Sequence, residues 1–249
     1  VIAIIPAAGK GTRMASVTSG KPKELLPLGR LTVLERIFQE AREAQVNGIV
    51  VVNSRSKQEI DDAVEEWSHS TFADLPIRIA YQEEQRGLGH AVASSQIDDD
   101  ALIMVGDVVF QGGSPCQRMV NLIWRGIDGC LAVEPVSEDQ MHLYGIVEID
   151  EFSGAVKRVI EKPSPAETES RWAVAGRFAF SKAFMGFLAD YTEDPVRLEN
   201  PKEINLTEVI NKALSIGMDF KAVALQGEQK RVDCGSVAEY QAARRLMWE

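Results

Sequence analysis

The chain has 249 residues, 45% of them apolar and 26% charged, with a formal net charge of −10. Such a length admits one large α/β domain or two small ones and buries a sizeable core without disulfide staples. The acidic balance argues against broad nucleic-acid binding, which scales with the phosphates neutralised, and no apolar run approaches the ~20 residues of a membrane span.

The apolar opening Val1 to Pro6 reads as a buried strand and lacks the length and flanks of a signal peptide. A chain starting at Val1 rather than Met leaves room for residues ahead of it. The strand runs into Gly9-Lys10-Gly11-Thr12-Arg13, and Pro22-Lys23-Glu24 follows. Side-chain-free positions at Gly9 and Gly11 let backbone N–H groups approach a polyphosphate. Lys10, Arg13, Lys21 and Lys23 face only one acid, Glu24, in the first 25 residues. A focused pocket for an anion on an acidic protein is the natural reading. A single charge of this kind is more often solvated surface; four around a glycine turn favour phosphate. The loop is neither a Walker A loop nor a full dinucleotide fingerprint, because Met14 stands at the third glycine position.

Further strands are expected at Ile49 to Asn53, Ile77 to Tyr81, Ala101 to Val105 and Cys130 to Glu134. Amphipathic helices alternate with them. Thr32 and Glu35 form a potential capping box ahead of Leu34, Ile37, Phe38 and Ala41. Ile60, Ala63, Val64 and Trp67 repeat the spacing, and Gly87 to Gln96 and Pro115 to Arg125 supply two more helices. This alternation predicts a largely parallel sheet covered on both sides. Strand Leu102 to Val105 delivers Asp107 to the carboxyl edge, where open α/β sheets bind ligands. A carboxylate there, opposite a cationic loop, suits Mg²⁺; it could equally cap the following turn. Gln82 precedes the turn Arg86-Gly87-Leu88-Gly89-His90, where an amide can pair with a nucleobase edge. His90 reads as a partly buried helix residue rather than a base.

The second half predicts strands at Tyr144 to Asp150, Val156 to Glu161 and Trp172 to Phe180, joined by hairpin-like turns around Phe152-Ser153-Gly154 and Pro163-Ser164-Pro165. Helices are expected at Lys182 to Asp190, Asn205 to Ile216, with Asn205 and Glu208 as a second capping box, and Ser236 to Trp248. Glu161-Lys162 at a strand end offers an acid for a sugar hydroxyl and a cation for a phosphate, or simply a surface ion pair. Asp233, in Arg231-Val232-Asp233-Cys234-Gly235-Ser236, reads either as an N-cap or as a second metal carboxylate. Three widely spaced cysteines (Cys116, Cys130, Cys234) suggest reduced thiols and a cytoplasmic protein.

Taken in order, the glycine-loop, Pro-Lys-Glu, Gly87-Leu88-Gly89-His90-Ala91-Val92, Gly106-Asp107-Val108 and Ile160-Glu161-Lys162-Pro163 segments resemble the sugar-1-phosphate nucleotidyltransferases. Ala175-Gly176-Arg177-Phe178, Glu203-Ile204-Asn205-Leu206-Thr207-Glu208 and Asp233-Cys234-Gly235 extend the likeness over nearly the whole chain. The Gly-Leu-Gly-His-Ala-Val string favours the uridylyl branch over the thymidylyl branch. The resemblance implies an α/β Rossmann-like nucleotidyltransferase fold with a mixed, mostly parallel sheet, helices on both faces and a small antiparallel region. It implies one domain over 1–249, with a nucleotide half (1–135) and a half (136–249) holding the sugar and the C-terminal helices.

By the same resemblance, a uridylyl group passes from UTP to glucose 1-phosphate with Mg²⁺, giving UDP-glucose and pyrophosphate. Arg13, Lys23, Asp107 and Lys162 would be catalytic. Ala8, Gly9, Gly11, Thr12, Gln82 and Gly87 would bind the nucleotide. Gly145, Glu161 and Val174 would bind the sugar, and Asp107 and Asp233 the metal. A homo-oligomer is expected, with no nucleic-acid or membrane partner. A glucose-1-phosphate thymidylyltransferase or another sugar-1-phosphate nucleotidyltransferase is the alternative within the class, and a catalytically silent nucleotide-sugar-binding regulatory protein the alternative of another class. The stretch between Trp67 and Ile77 is shorter than the family's, which bears on oligomeric state and base preference.

Overall fold

The computed structural model describes residues 1–194 and 203–247. Its first half is β1 (Ile2–Pro6), a 3-10 turn (Thr12–Met14), α1 (Ala15–Thr18), β2 (Pro27–Leu28), β3 (Leu31–Thr32), α2 (Val33–Glu43), β4 (Ile49–Asn53), α3 (Gln58–Ser68), β5 (Ile77–Tyr81), α4 (Gly87–Ser94), β6 (Ala101–Met104), β7 (Val108–Gln111), α5 (Cys116–Ile123) and β8 (Gly129–Pro135). The second comprises β9 (Gly145–Ile149), β10 (Val156–Glu161), β11 (Trp172–Phe180), α6 (Lys182–Glu193), α7 (Leu206–Ser215), β12 (Phe220–Ala224), β13 (Lys230–Asp233) and α8 (Val237–Leu246).

Nine strands form the main sheet. β6, β1, β4 and β5 run parallel in that order. β11 is the hub of the second half. It pairs antiparallel with β8 along one edge, and with β9 and then β6 along the other. β12 extends the sheet beside β8, and β10 beside β9. The two halves of the sequence therefore share one sheet.

Helices cover both faces, as the alternation of elements predicts. Along β1, Ala3 and Ile5 pack with Leu34, Phe38, Ile60 and Trp67 of α2 and α3. Ile4, between them, joins Val92 of α4, Phe184 of α6 and Val209 of α7 on the opposite face. A strand buried on both sides must be apolar at every position, which is why these strands read as unbroken runs. α2 starts on the expected box: Thr32 Oγ1 accepts from Glu35 N at 3.1 Å, and Glu35 Oε2 accepts from Thr32 N at 2.7 Å.

Several expectations are corrected. β10 and β11 are not hairpin partners, because β9 lies between them and the Pro163-Ser164-Pro165 turn crosses to its far side. Asn205 caps α7 by accepting from Thr207 N, while Glu208 accepts from the Tyr191 hydroxyl, so no capping box forms. α6 runs on to Glu193. Ser236, not Asp233, caps the last helix, and Trp248 lies outside the described residues. The short strands β2, β3, β7, β12 and β13 were not foreseen. Cys116, Cys130 and Cys234 are free and buried. Among the described residues no helix is long and apolar enough to cross a membrane.

Candidate active site

The carboxyl ends of β1 and β6 meet first. A β-carbon on Gly106 would stand 2.6 Å from Pro6 O, so only glycine lets the two chain ends close up. Asp107 follows at the rim. β7 and β13 then pair antiparallel with Asp233 opposite Val108, which brings the second acid beside the first. Cys234 N donates to Asp107 O at 2.7 Å, and a β-carbon on Gly235 would lie 2.9 Å from Asp107 Oδ2. Burial pushes the Asp233 carboxyl up to about 6 against the pull of Arg231, with Glu239, Asp107 and Glu134 adding to the rise. A cation would relieve that crowding. Among the described residues no three His, Cys, Asp or Glu side chains converge on a metal position, so an ion here would draw its remaining ligands from phosphate or water.

Lys23 joins the acids to the phosphate side. Its Nζ sits 2.5 Å from Asp107 Oδ2. It lines two adjoining clefts. One, of about 440 Å³, is walled by Ala8, Gly9, Gln82, Gly87, Gly106 and Asp107. The other, of about 380 Å³, is walled by Lys10, Gly11, Thr12, Lys21 and Lys57. Ala8 and Lys23 belong to both. The expected nucleotide residues are thus gathered in one continuous depression. Arg13 is not brought to it. Its side chain is exposed on the 3-10 turn, lines neither cleft, and makes no hydrogen bond or ion pair among the described residues.

Lys57 was missed in the sequence, as was the role of Glu24. Lys57 Nζ donates to Ala7 O at 2.7 Å and to both Glu24 oxygens at 3.1 Å, pinning the start of the glycine loop to the Pro-Lys-Glu turn. Burial pushes the Glu24 carboxyl up and the Lys57 ammonium down, each opposed by the partner's charge. The available signal was a cation four residues beyond the end of β4, at the same rim. Gln85, also missed, donates to Ala8 O at 2.6 Å.

Gln82 is buried where it lines the larger cleft. Its Nε2 donates to Gly87 O at 3.2 Å and to His90 Nδ1 at 3.0 Å. Burial, then Arg86, lowers the His90 pKa, which suits a neutral ring accepting at Nδ1. His90 is therefore the half-buried helix residue expected. Gly87 has φ +88° and leaves no room for a side chain, since a β-carbon would meet Ile204 O at 2.9 Å.

The expected sugar residues also meet. A β-carbon on Gly145 would lie 3.5 Å from Glu161 Oε2 and 3.7 Å from Val174 Cγ2. Thr207 Oγ1 donates to the same Glu161 oxygen at 3.0 Å. Lys162 forms no ion pair with Glu161. It adopts φ +48°, strained for a side-chain-bearing residue, and its backbone N donates to Tyr144 O at 3.0 Å. Arg231 ties this end to the acids: it reaches Val174 O at 3.1 Å, Glu134 at 2.8 Å and Asp233 at 3.3 Å, and stacks 4.0 Å from the Tyr144 ring. In the sequence Arg231 reads only as a charge beside Asp233, with nothing to announce these partners.

The chain as a whole is similar to known proteins. The family model described as Nucleotidyl transferase matches residues 2–248. The chain belongs to the nucleotidyl transferase family. A UTP–glucose-1-phosphate uridylyltransferase of Bacillus subtilis is 31% identical, aligned over 94% of this chain and 86% of its own length. One from Staphylococcus haemolyticus is 29% identical, over 94% and 87%. Among solved structures, a UTP-bound UGPase from Acinetobacter baumannii superposes with a TM-score of 0.81 at 25% identity, covering 98% of this chain and 92% of the other. A putative glucose-1-phosphate thymidylyltransferase from Bacillus anthracis, in complex with a sucrose, reaches 0.83 at 18% identity, covering 100% and 96%. The second likeness speaks for the fold alone. Nucleotidyltransferase membership, the Rossmann-like sheet and enzyme class agree with what the sequence resemblance implies.

Proposed function

We propose that this chain transfers the uridylyl group of UTP to glucose 1-phosphate, releasing pyrophosphate. The observation that carries the reading is the pair of clefts sharing Ala8 and Lys23: a cavity of nucleoside size opening into a pocket rich in lysine. The uridylyltransferase names of the relatives supply the base and the sugar.

The sugar phosphate attacks the α-phosphorus in line, its oxygen forms the new P–O bond, and the bond to pyrophosphate breaks. No base is needed, since a phosphate dianion is already nucleophilic. What the protein must supply is orientation and relief of repulsion between two polyanions. Lys23 faces the α-phosphate, with Lys10 and Lys21 beyond it and Arg13 available from the exposed turn. Gln82, Gly87, Ala8 and Gly9 hold the pyrimidine. Gly145 and Val174 line the sugar, Glu161 accepts from its hydroxyls, and Lys162 meets its phosphate. Asp107 and Asp233 would hold Mg²⁺, which when bound supplies charge neutralisation at the reacting phosphates.

The test is pyrophosphate release with glucose 1-phosphate, Mg²⁺ and each NTP in turn. UTP-dependent release is expected. Release with dTTP but not UTP would move the chain to the thymidylyl branch, and release with none would favour a nucleotide-sugar-binding protein.

A further inference from the structure

Asp107 stands on the short connection between β6 and β7, bounded by Val105 and Val108. Behind that connection lies Arg177 of β11, with a side chain 0% exposed. Its guanidinium has five N–H donors in a fixed plane, and all five are engaged. Nη2 donates to Val108 O at 2.7 Å. Nη1 donates to Val105 O at 3.4 Å and to Gly176 O at 2.9 Å. Nε and Nη2 grip the Glu40 oxygens at 2.9 Å and 2.7 Å. Glu40 projects from α2, and its Oε1 also accepts from Ser114 Oγ at 2.5 Å and Cys116 Sγ at 3.1 Å. The two carbonyls flanking Gly106-Asp107 are thus fixed to one rigid cation, which is fixed in turn to Glu40 of α2.

Core filling does not explain this design. A buried ion pair contributes less to stability than apolar residues of the same volume, and this one reaches past the core to the loop carbonyls. No arrangement of one ammonium could bind all five partners at once. The geometry points to Arg177, braced by Glu40, as a positioning residue that sets where the Asp107 carboxylate stands. The inference rests on the proposed role of Asp107 and adds a second layer behind it.

The test compares wild type with Glu40→Met/Arg177→Met, which removes both charges together and so leaves neither unpaired. The double variant should keep its circular dichroism and a cooperative melt. Its kcat for pyrophosphate release should fall by roughly 10²-fold, the scale of an ångström-level misplacement, while KM for UTP stays within about threefold. A folded double variant with kcat within about twofold of wild type would overturn the inference. Should the double variant fail to fold, Arg177→Lys keeps a charge and is judged by the same kcat and KM criteria. Mn²⁺ affinity, read by electron paramagnetic resonance without sugar phosphate, separates this inference from the substrate assignment. If wild type releases no pyrophosphate from UTP, the assignment fails. Weakened Mn²⁺ binding in the Arg177 variants, matching Asp107→Asn, would still support the positioning role; unchanged Mn²⁺ binding would refute it.

Discussion

Asp233→Asn should make the protein more stable and less active at the same time. The Asp233 side chain is 24% exposed, and burial pushes its carboxyl up from 3.8 to about 6. Keeping such a group ionised at neutral pH costs roughly 3 kcal/mol relative to its protonated form. That figure is already net of the attraction from Arg231. The sign follows from proton binding. Between pH 4 and 6 the native state holds the proton more tightly than the unfolded chain, so stability falls as pH rises through that window. The penalty is absent below about 4 and complete above about 6. Asparagine mimics the neutral acid and keeps an oxygen for Arg231. Urea unfolding without divalent ions should therefore show the variant more stable at pH 8 by about 1–3 kcal/mol, with the two proteins converging near pH 4. Turnover should drop at least ~10²-fold. A variant no more stable than wild type at pH 8, or a gap that widens toward pH 4, would refute the burial argument. Millimolar Mg²⁺ should raise the wild-type melting temperature more than that of the variant; an equal rise in both would remove Asp233 from the metal site.

Lys23→Ala and Asp107→Asn should each lower turnover by at least ~10²-fold with circular dichroism unchanged; near-wild-type rates would exclude the residue concerned. Lys57→Met leaves Glu24 buried without its partner and should cost about 3 kcal/mol at pH 7. Removing Lys57 raises the Glu24 pKa further, so thermal melts should show that deficit shrinking at pH 5 as the carboxyl takes up a proton. Gly106→Ala drives a β-carbon toward Pro6 O, 2.6 Å away, and should destabilise the fold by about 1–3 kcal/mol in urea titrations.

What the sequence revealed follows from the range of the interactions involved. Strands buried on both faces, such as β1 and β4, announce themselves by continuous apolar runs, and the Thr32–Glu35 box is local. The site residues at strand ends were legible because the carboxyl edge of a parallel sheet gathers them wherever they fall in the chain. Partners far apart in sequence were not. Glu40 and Arg177 are separated by 137 positions and Glu24 and Lys57 by 33, and in sequence each is an ordinary charge on a helix, strand or loop. β7 and β13 are four-residue strands whose pairing depends on each other, and neither carries the alternation that marks a strand alone. The second-half hairpin failed for the same reason, since only tertiary contacts decide that β9 slips between β10 and β11.

Three buried or largely buried charge pairs, Lys57–Glu24, Arg177–Glu40 and Arg231–Glu134, each bind a backbone carbonyl as well as a partner: Ala7 O, Val108 O and Val174 O. Each carbonyl belongs to a segment that carries site residues: the glycine loop, the Asp107 connection and the sugar strand. Desolvation makes such pairs poor stabilisers. Lys57–Glu24 sits at the carboxyl rim itself, and Glu40, on the buried face of α2, holds Arg177 so that its remaining donors reach the carbonyls of the Asp107 connection. A rim that must bring phosphates and carboxylates together cannot rely on apolar packing to hold its backbone, because apolar contacts fix shape without fixing the direction of a carbonyl. Charged donors shared between a carboxylate and a carbonyl do fix it. The same rim therefore combines buried charge with restricted geometry, and burial there also pushes the Asp233 carboxyl up to about 6.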